Sequence, residues 1–232
     1  MANGLQIAAS GLIAQEWRLD AVANDIANVD TVGYQQSRSA FSEVLGTSGG
    51  VRASSLGASS APAALAPSDN PLSVALDGPG FIQVRDPNGG TALTRDGDLR
   101  IDGSHNLVTS TGAKLDPPIT IPDDVDPTDI SIAPDGTVTA AGRKLGQVTL
   151  VEVAAPEGLA SSPDGLLTTT AASGPARPSS TAALQQGVLE QSNVDLATAL
   201  TDMLDAQRGF QLASRALHTQ DQLLEIANGI RR

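Results

Sequence analysis

Cysteine is absent from this 232-residue chain, which excludes disulfides, thiolate metal sites and cysteine nucleophiles. Aromatic residues are nearly as scarce, with three Phe, one Tyr and one Trp, so the rings that commonly line ligand pockets or stack on sugars are missing. Basic residues are few. Fourteen Lys and Arg stand against 26 Asp and Glu, for a net charge of −12. So acidic a chain is poorly suited to coating phosphates, which disfavours a nucleic-acid partner. The two histidines, His105 and His218, are far apart and neither has a second His or a carboxylate at metal-ligand spacing. No apolar run approaches the ~20 residues that cross a bilayer, so membrane insertion is not expected. The first ten residues carry no basic region, and Gln6, Gln15 and Glu16 interrupt the apolar stretch. A cleavable secretory signal is therefore not expected, and these rules alone read the chain as cytoplasmic.

What is present is Ala, Val, Leu and Ile for a core, and 23 Gly with 14 Pro for frequent turns. That composition suits a scaffold better than an enzyme. Residues 3–30 read as a helix in which Leu5, Leu12, Leu19 and Ile26 recur every seven positions, with Ala8 and Val22 in the intervening seam and Gln15 breaking it. Residues 46–70 are Gly/Ser/Ala/Pro-rich and read as a long loop or flexible linker. Residues 71–178 alternate short apolar runs (81–84, 99–101, 119–121, 130–132, 147–153) with Asp-Gly, Asn-Gly and Pro-Asp-Gly turns, the grammar of an antiparallel β domain.

A second helix is expected from about Val194 to Ile230, started by an S-x-x-D capping signature at Ser192 and Asp195. Leu196, Met203, Phe210, Leu217 and Leu224 are spaced by seven, and Ala199, Ala206, Ala213 and Ala227 stand three positions after four of them. A strict seven-residue repeat stays on one face only if the helix supercoils about a partner. Over a few turns an ordinary amphipathic helix covering the β domain fits nearly as well. The expected fold is thus α+β, with N- and C-terminal helices forming a coiled-coil-like pair and a central, mostly antiparallel β domain. The expected segments are 1–34 for the first helix, 35–70 for an extended intersubunit segment, 71–180 for the β domain and 181–232 for the second helix.

Catalytic signatures are weak. Gly46-Thr-Ser48-Gly-Gly50 matches a nucleophile elbow in letters, but no buried strand precedes it and no helix follows. Asp123, Asp124, Asp126 and Asp129 lack the order of a calcium loop and read as a solvated acidic loop. Neither a phosphate loop nor a dinucleotide fingerprint is present. No catalytic residue, cofactor or metal is expected.

Several stretches nevertheless resemble one family. Ala23-Asn-Asp-Ile-Ala-Asn-Val-Asp-Thr-Val-Gly-Tyr34 resembles A-N-N-[LI]-A-N-x-x-T-x-G-[YF], the N-terminal signature of the bacterial flagellar rod and hook family. Leu189-Glu-Gln-Ser-Asn-Val-Asp-Leu196 and Met203-Leu-Asp-Ala-Gln-Arg-Gly-Phe210 resemble its C-terminal L-E-x-S-N-V-D and M-[IL]-x-A-Q-R-x-[YF]. Leu76-Asp-Gly-Pro-Gly-Phe-Ile-Gln-Val84 and Thr94-Arg-Asp-Gly-Asp-Leu99 resemble two of its central motifs. Residues 36–45 and 118–122 are most similar to the distal rod members, although Gln35 stands where Lys or Arg is common.

The resemblance implies a non-enzymatic subunit that polymerises helically with itself into the drive shaft. Other rod proteins and the hook would be its neighbours, and the flagellar type III export apparatus its route out, without signal cleavage. The location implied is the basal body in the cell envelope. It implies a seam built from Leu5, Leu12, Leu19, Ile26, Leu196, Met203, Phe210, Leu217 and Leu224. It also marks Asn24, Asn28, Thr31, Gly33, Tyr34, Ser192, Asn193, Asp195, Gln207 and Arg208 as family-motif positions, with Arg208 either paired to an acidic neighbour or solvated. Residues 35–70 would touch neighbouring subunits. A proximal rod subunit, or a secreted carbohydrate-binding or hydrolytic β domain with helical oligomerisation ends, are the alternative readings.

Overall fold

The computed structural model of the chain describes residues 2–43, 51–59, 61, 63–86, 89–162 and 165–230. The nucleophile-elbow match at 46–50 lies outside the described residues. The two long helices are α1 (Ala2–Ala27) and α2 (Leu196–Ile230). Helix α1 stops three residues before the expected end. There the Thr31 backbone N–H and hydroxyl bond back to the Asn28 carbonyl and side-chain oxygens, each at 3.1 Å. Asn and Asp offer the backbone local partners that compete with helical ones.

Helix α2 starts at Leu196, two residues after the expected Val194. The cap is Asp195, whose Oδ1 accepts the Thr198 N–H at 2.7 Å, while Ser192 Oγ accepts the Val194 N–H at 3.3 Å. Residues 183–186 and 188–190, expected within the 181–232 segment of the second helix, are instead strands. They pair antiparallel with Val74–Asp77 and Leu65–Pro67.

The chain divides into two compact units. The first comprises residues 1–27, 37–56 and 195–232. In it α1 and α2 run antiparallel, since later residues of α1 meet earlier residues of α2: Arg18 Nη2 bonds Asp202 Oδ1 at 2.8 Å, and Gln15 lies against Gly209. The strand Ser37–Glu43 pairs with Val51–Ala58. Its Ser37 N–H is held at 3.0 Å by the buried Asp25 carboxylate of α1. The composition of 46–70 predicted a loop, whereas the structure places strands at Val51–Ala58 and Leu65–Pro67. A Ser- and Ala-rich run carries little β propensity, so pairing to a partner strand decided its state.

The second unit comprises residues 28–36 and 57–194. Its main sheet orders the strands 160–161, 167–168, 91–94, 81–85, 114–115, 107–108 and 100–101, with 150–152 also pairing to 81–82 and to 177–178, all antiparallel. A meander of 130–132, 137–140 and 143–147 adjoins it. The two-residue period of strands sorts the core. Ile82 and Val84 join Leu99, Leu107, Leu115 and Val138 on one face, while Phe81 packs with Leu93, Val151 and Leu167 on the other. The run 119–121 forms only a single bridge, Asn106 to Thr120, although Ile119 and Ile121 are fully buried. The run 147–153 is split between the strands 143–147 and 150–152.

Candidate assembly site

Four of the sequence motifs, separated by up to 157 positions, meet in the second unit around one ion pair. Arg95, from Thr94-Arg-Asp-Gly, and Glu190, from Leu189-Glu-Gln-Ser-Asn-Val-Asp, have side chains only 5% and 2% exposed, with Nε and Oε2 3.2 Å apart. The angle falls short of a hydrogen bond, so both atoms lack a hydrogen-bond partner among the described residues. The guanidinium is held otherwise: Nη2 donates to the Gly78 carbonyl at 2.8 Å, and the group lies 5.8 Å from the Phe81 ring centroid, a cation–π distance. Gly78 and Phe81 come from the third motif. The Gln35 amide donates to Glu190 Oε1 at 3.3 Å, and the Ala63 N–H also bonds that carboxylate. Burial pushes the Glu190 carboxyl above its ordinary value, and Arg95 only partly opposes it.

The fourth motif supplies Gly33, whose N–H donates to the Glu190 carbonyl at 2.8 Å. Its φ is +67°, and a Cβ there would sit 2.5 Å from the Arg95 carbonyl carbon and oxygen. Only glycine meets both demands. Beside it Asn193 ties three segments together. Its Oδ1 accepts the Gln36 N–H at 2.6 Å, and its Nδ2 donates to Gln35 Oε1 at 2.9 Å and to the Ala61 carbonyl at 3.1 Å. The chain leaving α1 and the chain about to enter α2 are therefore clasped to each other and to the buried pair. A cavity of about 330 Å³, walled by Leu65, Leu76 and Pro79, has Arg95 and Glu190 in its lining. Sequence reading missed this centre. The available signal was one basic and one acidic residue of opposite sign in two separate motifs, Arg95 and Glu190, together with Gln35 at a position where Lys or Arg is common.

Among the described seam positions of the first unit the buried ones are Ala199 and Ala206 of α2, and on α1 Ala14, beside the seam, is buried too. Leu12, Leu19, Met203, Phe210, Leu217 and Ile26 are half-buried, and Leu196 is exposed. The side chains of Leu5 and Leu224 lie outside the described residues. Alanine lets two helix backbones approach closely, and larger residues then flank the contact. A single copy leaves Ile7, Ile13 and Trp17 of α1 and Leu196, Leu200, Leu204, Leu212, Leu223 and Ile226 of α2 exposed, with Trp17 at 56% and Leu212 at 66%.

The remaining motif positions are peripheral. Thr31 closes the turn after α1 on Asn28, and the Tyr34 N–H bonds the Thr31 carbonyl at 3.2 Å. Asn24 and Gln207 are exposed. Arg208 reaches Asp205 at 3.9 Å with both side chains largely in water, a pair of little energetic weight. Two hydrogen bonds from Thr198 hold the Asp195 carboxyl below its ordinary value. The acidic loop separates into individual contacts. Asp123 meets His105 at 2.9 Å, Asp124 meets Arg143 at 3.0 Å, and Asp126 accepts from the Thr128 N–H and hydroxyl. Among the described residues no group of three or more acidic or histidine side chains could hold a metal, and no helix is long and apolar enough to cross a membrane.

A clasped β unit, joined by sequence to two long helices that expose apolar rows, defines a class: a structural subunit made to be covered by others. Comparison with known proteins agrees. Residues 5–35 match the family model described as "Flagella basal body rod protein", residues 75–140 match "Flagellar hook protein FlgE/F/G D1 domain", and residues 185–230 match "Flagellar basal body rod FlgEFG protein C-terminal". The chain is 33% identical to the flagellar basal-body rod protein FlgG of Borreliella burgdorferi, with 100% of both chains covered. It is 32% identical to FlgG of Bacillus subtilis, with 97% of each covered, and 30% identical to the rod protein FlgF of Salmonella typhimurium, with 92% of each covered. The chain belongs to the flagellar basal-body rod protein family, as a structural subunit of the distal, FlgG kind.

Proposed function

We propose that copies of this chain polymerise helically into the distal rod, the shaft that carries motor torque to the hook. Copies of itself, other rod proteins and the hook are its neighbours, and the flagellar type III export apparatus delivers it to the envelope. Its role is mechanical, not catalytic. The rows Leu5, Leu12, Leu19, Ile26 and Leu196, Met203, Phe210, Leu217, Leu224 line a coiled-coil-like seam within and between copies. Residues 35–70 add lateral contacts that stiffen the shaft against twist. The family-motif residues from Asn24 to Tyr34 and from Ser192 to Arg208 shape the passage from helix to β unit.

One observation carries the reading: among the described residues, nine large apolar side chains on the two helices face water in a single copy. Large apolar side chains exposed in such number along two helices mark an interaction surface. The test uses Leu204→Asp/Leu212→Asp. Both positions are already exposed, so the variant chain folds as the parent does, while a buried charge blocks assembly. Trp17 is the only tryptophan, and its emission moves to the blue on assembly of the parent and stays put in the variant. Normal polymers and normal swimming from the variant would sink the proposal.

A further inference from the structure

A seam that repeats every seven residues has a weakness: the repeat alone does not fix its alignment. Sliding α2 along α1 by seven residues, about 10 Å at 1.5 Å per residue, replaces Leu by Met or Phe and Ala by Ala in the rows Leu196 to Leu217 and Ala199 to Ala213. The registers differ where a row is interrupted and at positions beside the rows. In α1 the break is Gln15, a polar residue among Ala8, Leu12, Leu19, Val22 and Ile26. In α2 the rows themselves miss only at Gln220, but beside Phe210 stands Gly209, a poor helix former in the middle of the helix.

Gln15 and Gly209 lie on each other. A Cβ added at Gly209 would stand 2.7 Å from Gln15 Cδ, 2.9 Å from its Oε1 and 3.1 Å from its Nε2. The amide thus occupies the space that any other residue at 209 would fill. The recess is not a general property of helical glycines here, since a Cβ at Gly11 of α1 would meet nothing within 4 Å. Gln15 Oε1 is buried there with no hydrogen-bond partner among the described residues. That arrangement sacrifices stability, because an apolar side chain would not strand an acceptor. What it gains is discrimination. Seven residues to either side of Gly209 stand Asp202 and Ala216. Asp202 is engaged by Arg18 at 2.8 Å, and the Ala216 methyl group would fill the recess.

We infer that Gln15 seated on Gly209 is a polar register pin that selects one antiparallel alignment of α1 on α2. A single polar residue in an apolar seam is an established way to specify register at a cost in stability. The pin acts within one copy and does not depend on the assembly reading, so either can fail alone.

The test exploits the absence of cysteine. Gln6→Cys and Thr201→Cys, both at exposed positions of the helices, accept spin labels in the full-length chain. The labels are widely offset along the helix axes, so a one-repeat slip changes their separation by about 10 Å. The parent gives one narrow separation. Gly209→Ala, which evicts the amide while favouring helix, keeps or raises the helix content yet adds a second population displaced by about 10 Å. Gln15→Ala does the same, and adding Gly209→Ala to the Gln15→Ala variant changes nothing further. The inference is overturned if the parent distribution is already broad or if either single variant keeps the parent's single separation. It is also overturned if Gly209→Ala lowers helix content, or if it perturbs the Gln15→Ala variant as much as the parent.

Discussion

Replacing Glu190 by Gln takes one charge from a pair whose side chains are 5% and 2% exposed and leaves the other almost without water. The Arg95 guanidinium then keeps the Gly78 carbonyl and the Phe81 face but loses its counter-ion. Breaking one side of a buried pair typically costs about 3–5 kcal/mol. At roughly 2–4 °C per kcal/mol for a domain of this size, Glu190→Gln lowers the melting temperature by about 6–20 °C. Arg95→Met has a different signature. Burial already holds the Glu190 carboxyl above its ordinary value of 4.5, with Arg95 the main opposing influence. Without Arg95 it rises further.

A folded-state value above the unfolded one means that the folded state takes up the proton first. Stability therefore increases as pH falls from neutral through the folded value toward 4.5, and no further gain comes below. The penalty of Arg95→Met shrinks over that window, whereas that of Glu190→Gln does not. Asp96, also raised by burial, acts with the same sign in every variant and cancels in the differences. Removing both charges in Arg95→Met/Glu190→Gln brings stability back to within about 1 kcal/mol of the parent, because neither ion is stranded. Differential scanning calorimetry from neutral pH down to the carboxyl's ordinary value of 4.5 reads all four chains. A Glu190→Gln chain melting within ~2 °C of the parent, or a double variant less stable than either single one, would refute the reasoning.

Gly33→Ala forces a left-handed φ of +67° on an L side chain and drives its methyl into the Arg95 backbone. The conformation alone costs about 1–3 kcal/mol, and a urea titration will show a loss of at least that size. Asn193→Ala removes three side-chain hydrogen bonds and lowers stability by about 1–3 kcal/mol, with faster amide exchange at Gln36 as the local sign. Asp195→Ala frays the first turn of α2, seen as faster exchange of the Thr198 amide, while Asp195→Asn does not. Because hydrogen bonds from Thr198 lower the Asp195 carboxyl below 3.8, its capping is fully present above that pH and fades as pH falls through the folded value.

Periodicity and short-range chemistry are legible in the chain before it folds. Seven-residue rows marked both helices, Asp-Gly and Asn-Gly turns marked the β region, and the Asn28–Gly33 cluster ended α1 within three residues of the expected point. Contiguous motifs were legible because each is read within a dozen residues. Other features belong to long-range pairing. Residues 51–58, 183–186 and 188–190 are strands because partner strands satisfy their backbone groups. Alanines rather than leucines became the most buried seam positions because closeness of approach is a property of two helices together. The meeting of Arg95 with Glu190 across 95 positions, and of Gln15 with Gly209 across 194, has no local trace. A charge inside a motif or a glycine inside a helix looks like a defect until the fold brings its partner alongside, since burial and pairing are set only when distant segments pack.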